Sequence, residues 1–587
     1  MENLIKVKNL DIGFIDKGQT LHEAVQGVSF SIKKGEIIAL VGETGSGKSA
    51  IAKSLLRLLP KETTKLNGEI FFEGVNLLQL REKQMQLVRG KEISMIFQDP
   101  MSSLNPTMKI GKQILESYLK LHPKTSKKAA ESLVTKLLNE IGVTGASHRI
   151  KEYPHTLSGG MRQRVMIAMA LITNPKLLIA DEPTTALDVT IQAQVLSLIK
   201  SAQKKTEMSI LLITHDLSIV AGFCDRVLVM QQGKIVESGS VEEIFYEPKH
   251  PYTKQLIEKT PKLDRQFSPI NSSPSQKTHP LLTIKQLTKE FPSKIGTLKA
   301  LRGIDLSIVK GETLGLIGES GSGKSTFGKI LASLEKNTSG TIFFENEILE
   351  SLDRQTKSKN IQMIFQDPYS SLNPRMNIEN ILKEPFIIHK KPFSIETITN
   401  LLALVHLPSS YLRRFPHELS GGQRQRIGIA RALSLNPKLL ICDEPISALD
   451  HITGTQILEL LQKLQKEIKL TILFISHDLR AVQSLATRLA VLYLGNIVEL
   501  GKTEDIYKNP LHPYTKALIS AIPVADPKIE KKRAKIILEG EIPNPLEKTR
   551  GCAFASRCPF AETICRETPP LYKEVLPGRF VSCHLVN

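Results

Sequence analysis

Nowhere in the 587 residues is there an apolar run near the roughly 18 that a membrane-spanning helix needs, and the opening MENLIKVKNL lacks the hydrophobic core of a signal peptide. A cytoplasmic chain with no membrane span of its own is expected. Cysteine is scarce, six in all, with Cys224 and Cys442 isolated in apolar surroundings and Cys552, Cys558, Cys565 and Cys583 crowded near the end. In a cytoplasmic protein this usage excludes a disulfide framework and points the terminal cluster towards metal binding or catalysis. Extremes of polarity are missing too: 41% hydrophobic and 23% charged residues exclude disordered and fibrous classes.

What the chain does have is length, basic charge and repetition. A single core stops growing well below this size, so at least two domains are expected. The 78 basic against 59 acidic residues, a net +19, admit nucleic acid or an anionic membrane face as partner. A solvated, Lys-rich surface accounts for the same charge with no partner at all. The repetition is more specific. GETGSGKS from Gly42 recurs as GESGSGKS from Gly318, IFQDPMSSLNP from Ile96 as IFQDPYSSLNP from Ile364, and LSGGMRQR from Leu157 as LSGGQRQR from Leu419. DEPTTALD and DEPISALD, the histidines His215 and His477, and HPYTK at His250 and His512 follow in the same order. Such collinearity means duplicated domains, placed at 1–259 and 281–519, with a Pro/Ser/Lys-rich linker at 260–280 and an extension at 520–587.

Each half reads as α/β. EIIALVG precedes the first glycine loop and SAIAKSLLRLL follows it, a strand–loop–helix pattern. KLLIADE and SILLITHD are short apolar runs ending in polar residues, as buried parallel strands are. The loop matches G-x-x-x-x-G-K-[ST]. In the first copy Gly42, Thr44, Gly45, Ser46 and Gly47 offer backbone N–H groups to phosphates, Lys48 reaches the outer phosphates, and Ser49 offers its hydroxyl to magnesium. Gly318, Ser320, Gly321, Ser322, Gly323, Lys324 and Ser325 repeat this. A lone copy could be an ordinary Gly-rich turn; two copies, each after a strand, could not. Asp181-Glu182 and Asp443-Glu444 supply adjacent carboxylates, the first suited to magnesium and the second to polarising an attacking water. The alternative is that such a pair caps the segment that follows.

With these residues assembled, the chain resembles ATP-binding-cassette proteins over nearly its whole length. Their signature is LSGG at Leu157 and Leu419, their Q-loop glutamines are Gln98 and Gln366, their D-loops ALD at Ala186 and Ala448, and their switch histidines His215 and His477. Phe14 and Phe291, upstream of each loop, resemble the family's adenine-stacking aromatic, or are core residues. The resemblance implies tandem P-loop NTPase domains, each with a parallel-sheet core, an antiparallel β part and a helical subdomain. It also implies ATP and magnesium, the latter held by Ser49, Gln98 and Asp181 or by Ser325, Gln366 and Asp443. It implies a head-to-tail sandwich in which the groups of the first site face Ser420 and Gly422 and those of the second face Ser158 and Gly160. Met161 stands where the family usually has glutamine, at the loss of one side-chain amide. Glu182, Glu444 and both histidines are present, so two hydrolysis-competent sites are expected.

FQDPMSSLNP, FQDPYSSLNP, the two HPYT strings and EGEIPNPLEKTRGCAFASRCPF resemble the dipeptide and oligopeptide importer subfamily, here with two ATPase subunits fused. That resemblance implies two integral membrane permeases, an external solute-binding protein, no nucleic acid, and a peripheral place on the cytoplasmic face of the inner membrane. The alternative, a soluble twin-cassette ATPase acting on the ribosome, carries a long charged helical linker between cassettes, whereas this linker is short and proline-punctuated. A DNA-repair or chromosome-organising ATPase would need an inserted coiled coil or zinc module. The four terminal cysteines, separated by five, six and seventeen intervening residues in a Pro-rich segment with little periodicity, are expected to hold a [4Fe–4S] cluster. Zinc or free thiols are the alternatives.

Overall fold

The computed structural model describes residues 2–16, 18, 20–99, 103–143, 145–184, 187–260, 279–293, 296–447, 449–538, 540, 543 and 550–586. The D-loop alanines Ala186 and Ala448 and nearly all of the expected linker lie outside them. Two compact units emerge, Met1–Leu263 with Pro523–Glu541, and Asp264–Ile522 with Ile542–Asn587.

In the first unit, Ile93–Ile96, Leu177–Asp181, Ser209–Thr214, Ile37–Val41 and Arg226–Gln231 pair in parallel, in that order, with Lys234–Ser240 antiparallel at the edge. Every residue of IIALV, LLIAD and SILLIT is buried. Strands covered on both faces read as continuous apolar runs, which is why these segments show no alternation. The polar residues follow at the carboxyl ends of the strands, the edge where open α/β sheets hold ligands. A second sheet pairs Asn3–Ile15 antiparallel with Leu21–Lys33 and Thr64–Phe72. Its Ile5, Val7, Leu10 and Ile12 share a core with Ile38 and Leu40 of the parallel sheet. Helices Ile110–Leu121 and Lys127–Glu140, between Gln98 and the signature, and Gly159–Leu171, which starts in the signature, enclose a core of their own around Ile114, Val134, Leu138 and Val165.

The second unit repeats this plan. Ile361–Ile364, Leu439–Asp443, Thr471–Ile475, Thr313–Ile317 and Arg488–Tyr493 are parallel and Asn496–Lys502 antiparallel. Among the described residues its main sheet then gains two strands from the chain's end, Arg579–Val581 and Lys573–Leu576, with Glu499 opposite Val581 and Leu500 opposite Phe580.

Residues beyond 520 are therefore divided between the units. Pro523–Glu541 packs on the first. There Tyr246 Oη donates to Asp526 Oδ1 at 2.7 Å, and Glu530, its side chain 2% exposed, accepts the Val524 N–H at 3.0 Å and pairs with Arg533 and Lys535. The remainder builds on the second unit, and this bears on the iron–sulfur expectation. That expectation assumed a segment unable to form a core without metal. Instead Phe554, 1% exposed, packs 5.2 Å from the Tyr493 ring and 5.4 Å from the Tyr514 ring. Cys552, Cys558, Cys565 and Cys583 form no disulfide, and the Cys552 N–H donates to the Cys565 carbonyl at 2.8 Å. Burial, the largest cause, pushes Cys552 up to about 11 and raises Cys558 and Cys583 as well, with neighbouring cysteines of the group adding to each shift. Among the described residues no group of three or more His, Cys, Asp or Glu is placed to hold a metal ion.

Candidate active site

The glycine loop follows Ile37–Val41 and runs into helix Lys48–Leu55. Gly47, at φ 100°, caps that helix, and a Cβ there would lie 2.4 Å from the Ala24 carbonyl oxygen. At Gly42 a Cβ would lie 2.1 Å from the Met230 carbonyl oxygen, so side chains are excluded at both positions. Gly323 and Gly318 meet Ala300 and Leu492 in the same way, at 2.5 and 2.2 Å. Ser46 and Ser322 are buried, while Thr44, Gly45, Ser320 and Gly321 are exposed at the crest. The result is a backbone cradle opening at a helix N-terminus, a geometry that suits phosphate.

Lys48 is buried, and its Nζ donates to the carbonyls of Gly42 and Glu43 at 2.8 and 2.6 Å. Lys324 does the same with Gly318 and Glu319 at 2.7 and 3.0 Å. Burial lowers the Lys48 pKa, with Glu182 and Asp181 opposing. Ser49 Oγ donates to Asp181 Oδ1 and Ser325 Oγ to Asp443 Oδ1, each at 3.1 Å. Burial is the main cause raising both aspartates, partly offset by these serine bonds. A buried carboxylate beside a hydroxyl, costly to charge alone, is a hard-oxygen donor set that fits magnesium. Bound there by Ser49 and Asp181 with Gln98, or by Ser325 and Asp443 with Gln366, the ion would neutralise charge on the outer phosphates.

The second carboxylate of each pair is set apart by its backbone. Glu182 and Glu444 have φ of 47° and 48°, left-handed values uncommon for a side-chain-bearing residue. Their N–H groups donate to the Ile213 and Ile475 carbonyls, both at 2.9 Å. Gln98 Nε2 donates to Glu182 Oε2 at 2.7 Å, and His215 Nδ1 lies 3.0 Å from Glu182 Oε1. Gln366 and His477 hold Glu444 at 2.8 and 3.1 Å. Burial acts against charge on His215, yet its bond to Glu182 and that carboxylate's charge leave its pKa raised. Burial likewise opposes ionisation of Glu444, and the His477 contact overcomes it, leaving the carboxyl lowered. Each site thus presents a glutamate steadied from two sides, an arrangement that suits a general base with its orienting groups.

The other expected site residues stand outside this hydrogen-bonded group. Phe14 and Phe291 are half-buried on the antiparallel sheets, with Phe14 against the first core and the Lys289 ammonium 4.6 Å from the Phe291 ring centroid. Ser158 and Ser420 cap helices Gly159–Leu171 and Gly421–Leu433, each accepting an N–H at 3.3 Å, from Met161 and Gln423. Gln423 returns a bond to the Ser420 N–H, completing a capping box that Met161 cannot form. Gly160 and Gly422 let these helices approach Ile191 and Thr453. One pair of residues escaped sequence reasoning although its string was noticed. Tyr252 and Tyr514 of the HPYT repeats accept the N–H groups of Glu43 and Glu319 in the glycine loops, at 3.1 and 2.9 Å. The recurrence of HPYT in step with each loop was the available signal.

Residues 25–185 and 301–447 match the ABC transporter family, and residues 236–282 and 498–565 match the oligopeptide/dipeptide transporter C-terminal region. The chain is 42% identical over 584 residues to the glutathione import ATP-binding protein GsiA of Pectobacterium atrosepticum, covering 93% of each. It is 43% identical over 620 residues to GsiA of Salmonella typhimurium, covering 99% of this chain and 97% of the relative. It is 43% identical over 581 residues to GsiA of Escherichia coli, covering 92% and 93%.

Proposed function

This chain belongs to the ABC transporter family and is an ATPase, and from that premise we propose that it is the energy-coupling subunit of an importer for short peptides and related small solutes. The observation that carries the reading is the repeated constellation Gln98–Glu182–His215 and Gln366–Glu444–His477, complete in both units. In it the glutamate accepts the proton of the water that attacks the γ-phosphate. The histidine holds that carboxylate ionised, and the glutamine fixes its second oxygen. Lys48 and Lys324 turn from loop carbonyls to the outer phosphates, while Phe14 and Phe291 offer ring faces to adenine.

No described helix is long and apolar enough to cross a membrane, so the path for solute belongs to other chains. We assign that role to two permeases in the inner membrane, with this chain peripheral on the cytoplasmic side and a solute-binding protein outside. The matched transporter C-terminal region favours this over action on the ribosome. The relatives' name makes the tripeptide glutathione the first solute to try. In vesicles holding the permeases encoded beside it, with the matching binding protein, the chain should drive ATP-dependent uptake of glutathione or a dipeptide. Uptake indifferent to ATP, or turnover stimulated by ribosomes and not by permeases, overturns the proposal.

A further inference from the structure

We infer that Arg557 is a positioning residue for the second ATP site, holding through Glu319 the glycine loop that carries Lys324 and Ser325. The inference rests on the ATP-site reading above and adds to it a part played by the C-terminal extension. Arg557 Nη1 donates to Glu319 Oε2 at 2.6 Å and Nη2 to Glu319 Oε1 at 3.1 Å, a two-pronged contact with side chains only 3% and 1% exposed. Such a fork fixes both the place and the plane of the carboxylate.

Glu319 is held at its other groups as well. Its N–H donates to Tyr514 Oη at 2.9 Å, and its carbonyl accepts from Lys324 Nζ at 3.0 Å and from the Ser322 N–H at 3.1 Å. The residue that Arg557 grips is therefore the one whose carbonyl meets the phosphate-reaching lysine. Arg557 is itself fixed, because its N–H donates to the Phe554 carbonyl at 3.0 Å and Phe554 packs on Tyr514 and Tyr493. A second buried pair, Arg579 Nη2 to Glu499 Oε1 at 2.7 Å, ties the terminal hairpin to the same region, since Glu499 also accepts the N–H groups of Leu511 and His512. Breaking a buried pair from one side leaves an uncompensated charge that the loop must move to solvate.

The first site has the tyrosine without the arginine. Glu43 occupies the place of Glu319, its N–H donates to Tyr252 Oη, but its side chain is exposed and no described arginine reaches it. The two glycine loops, alike in sequence, are thus held differently, and loss of Arg557 should touch one site alone.

The test measures equilibrium binding of trinitrophenyl-ATP to the full chain with one site disabled. In a Lys48→Ala background, which leaves the second site, Arg557→Ala is expected to weaken binding about tenfold or more. In a Lys324→Ala background, which leaves the first, it is expected to change affinity less than about twofold. Arg557→Lys keeps the charge, and with it folding, but loses the fork, and should fall between wild type and Ala at the second site only. A merely structural role lowers the number of sites titrated without changing their affinity. That result, or equal weakening in both backgrounds, overturns the inference. Absence of binding in both parent single variants instead overturns the ATP reading itself.

Discussion

At the residue scale the chemistry depends on side chains held in costly states. Glu182 and Glu444 keep left-handed backbones at φ 47° and 48°, a conformation worth about 1–3 kcal/mol of strain when it has no compensation. Here a main-chain bond and two side-chain partners hold each carboxylate in place. His512 shows the same economy away from the chemistry. Its Nδ1 accepts the Tyr514 N–H at 3.0 Å, and complete burial lowers its pKa to about 3. Folding keeps it neutral, whereas the unfolded chain takes up a proton below the ordinary histidine value. Stability of the second unit should therefore fall as pH drops from about 6.5 towards 3, at up to about 1.4 kcal/mol per unit. Denaturant unfolding at a series of pH values measures this slope. Its loss is expected in His512→Asn, whose Oδ1 can still accept the Tyr514 N–H; an unchanged slope would assign the effect to other groups. The identities of Lys48, Asp181, Glu182 and His215 were legible because each motif encodes a chemical requirement. The strained glutamate backbone was not, since a dihedral angle fixed by tertiary hydrogen bonds leaves no mark in composition or period.

Among elements, the signature helices combine a cap with a close approach. A Cβ on Gly422 would lie 2.1 Å from Thr453 Cγ2, whereas one on Gly160 would lie 3.0 Å from the flexible Ile191 Cδ1. Gly422→Ala should cost the second unit about 1–3 kcal/mol through overpacking, and Gly160→Ala the first unit less than about 1. Thermal unfolding of the two variants checks the order, and equal shifts would contradict it. The parallel strands were legible as unbroken apolar runs, and the helical subdomain only through the family resemblance of the motifs around it. The terminal hairpin was not. Its strands Lys573–Leu576 and Arg579–Val581 are short, and their partner Asn496–Lys502 lies far back in sequence. Without that partner the cysteine segment reads as coreless, whereas Phe554, Arg557 and a borrowed sheet edge give it packing of its own.

On the scale of the whole molecule, duplication gives two units with the same hydrogen-bonded Gln–Glu–His set and different supports. The first takes back Pro523–Glu541, anchored through Asp526 and Glu530, and the second takes Ile542–Asn587 with the Arg557 grip on its glycine loop. Sequence repeats exposed the duplication but not this sharing of the C-terminal region, because the residues that divide it are paired by tertiary contacts alone. We propose that Glu182 and Glu444 are the bases of two working ATP sites. Phosphate release by the purified chain carrying Glu182→Gln and Glu444→Gln together tests it most directly, alongside ATP binding by the same protein. Binding should stay near wild type while release falls by about 100-fold or more. Release close to the wild-type rate with binding intact would show that neither glutamate is the base.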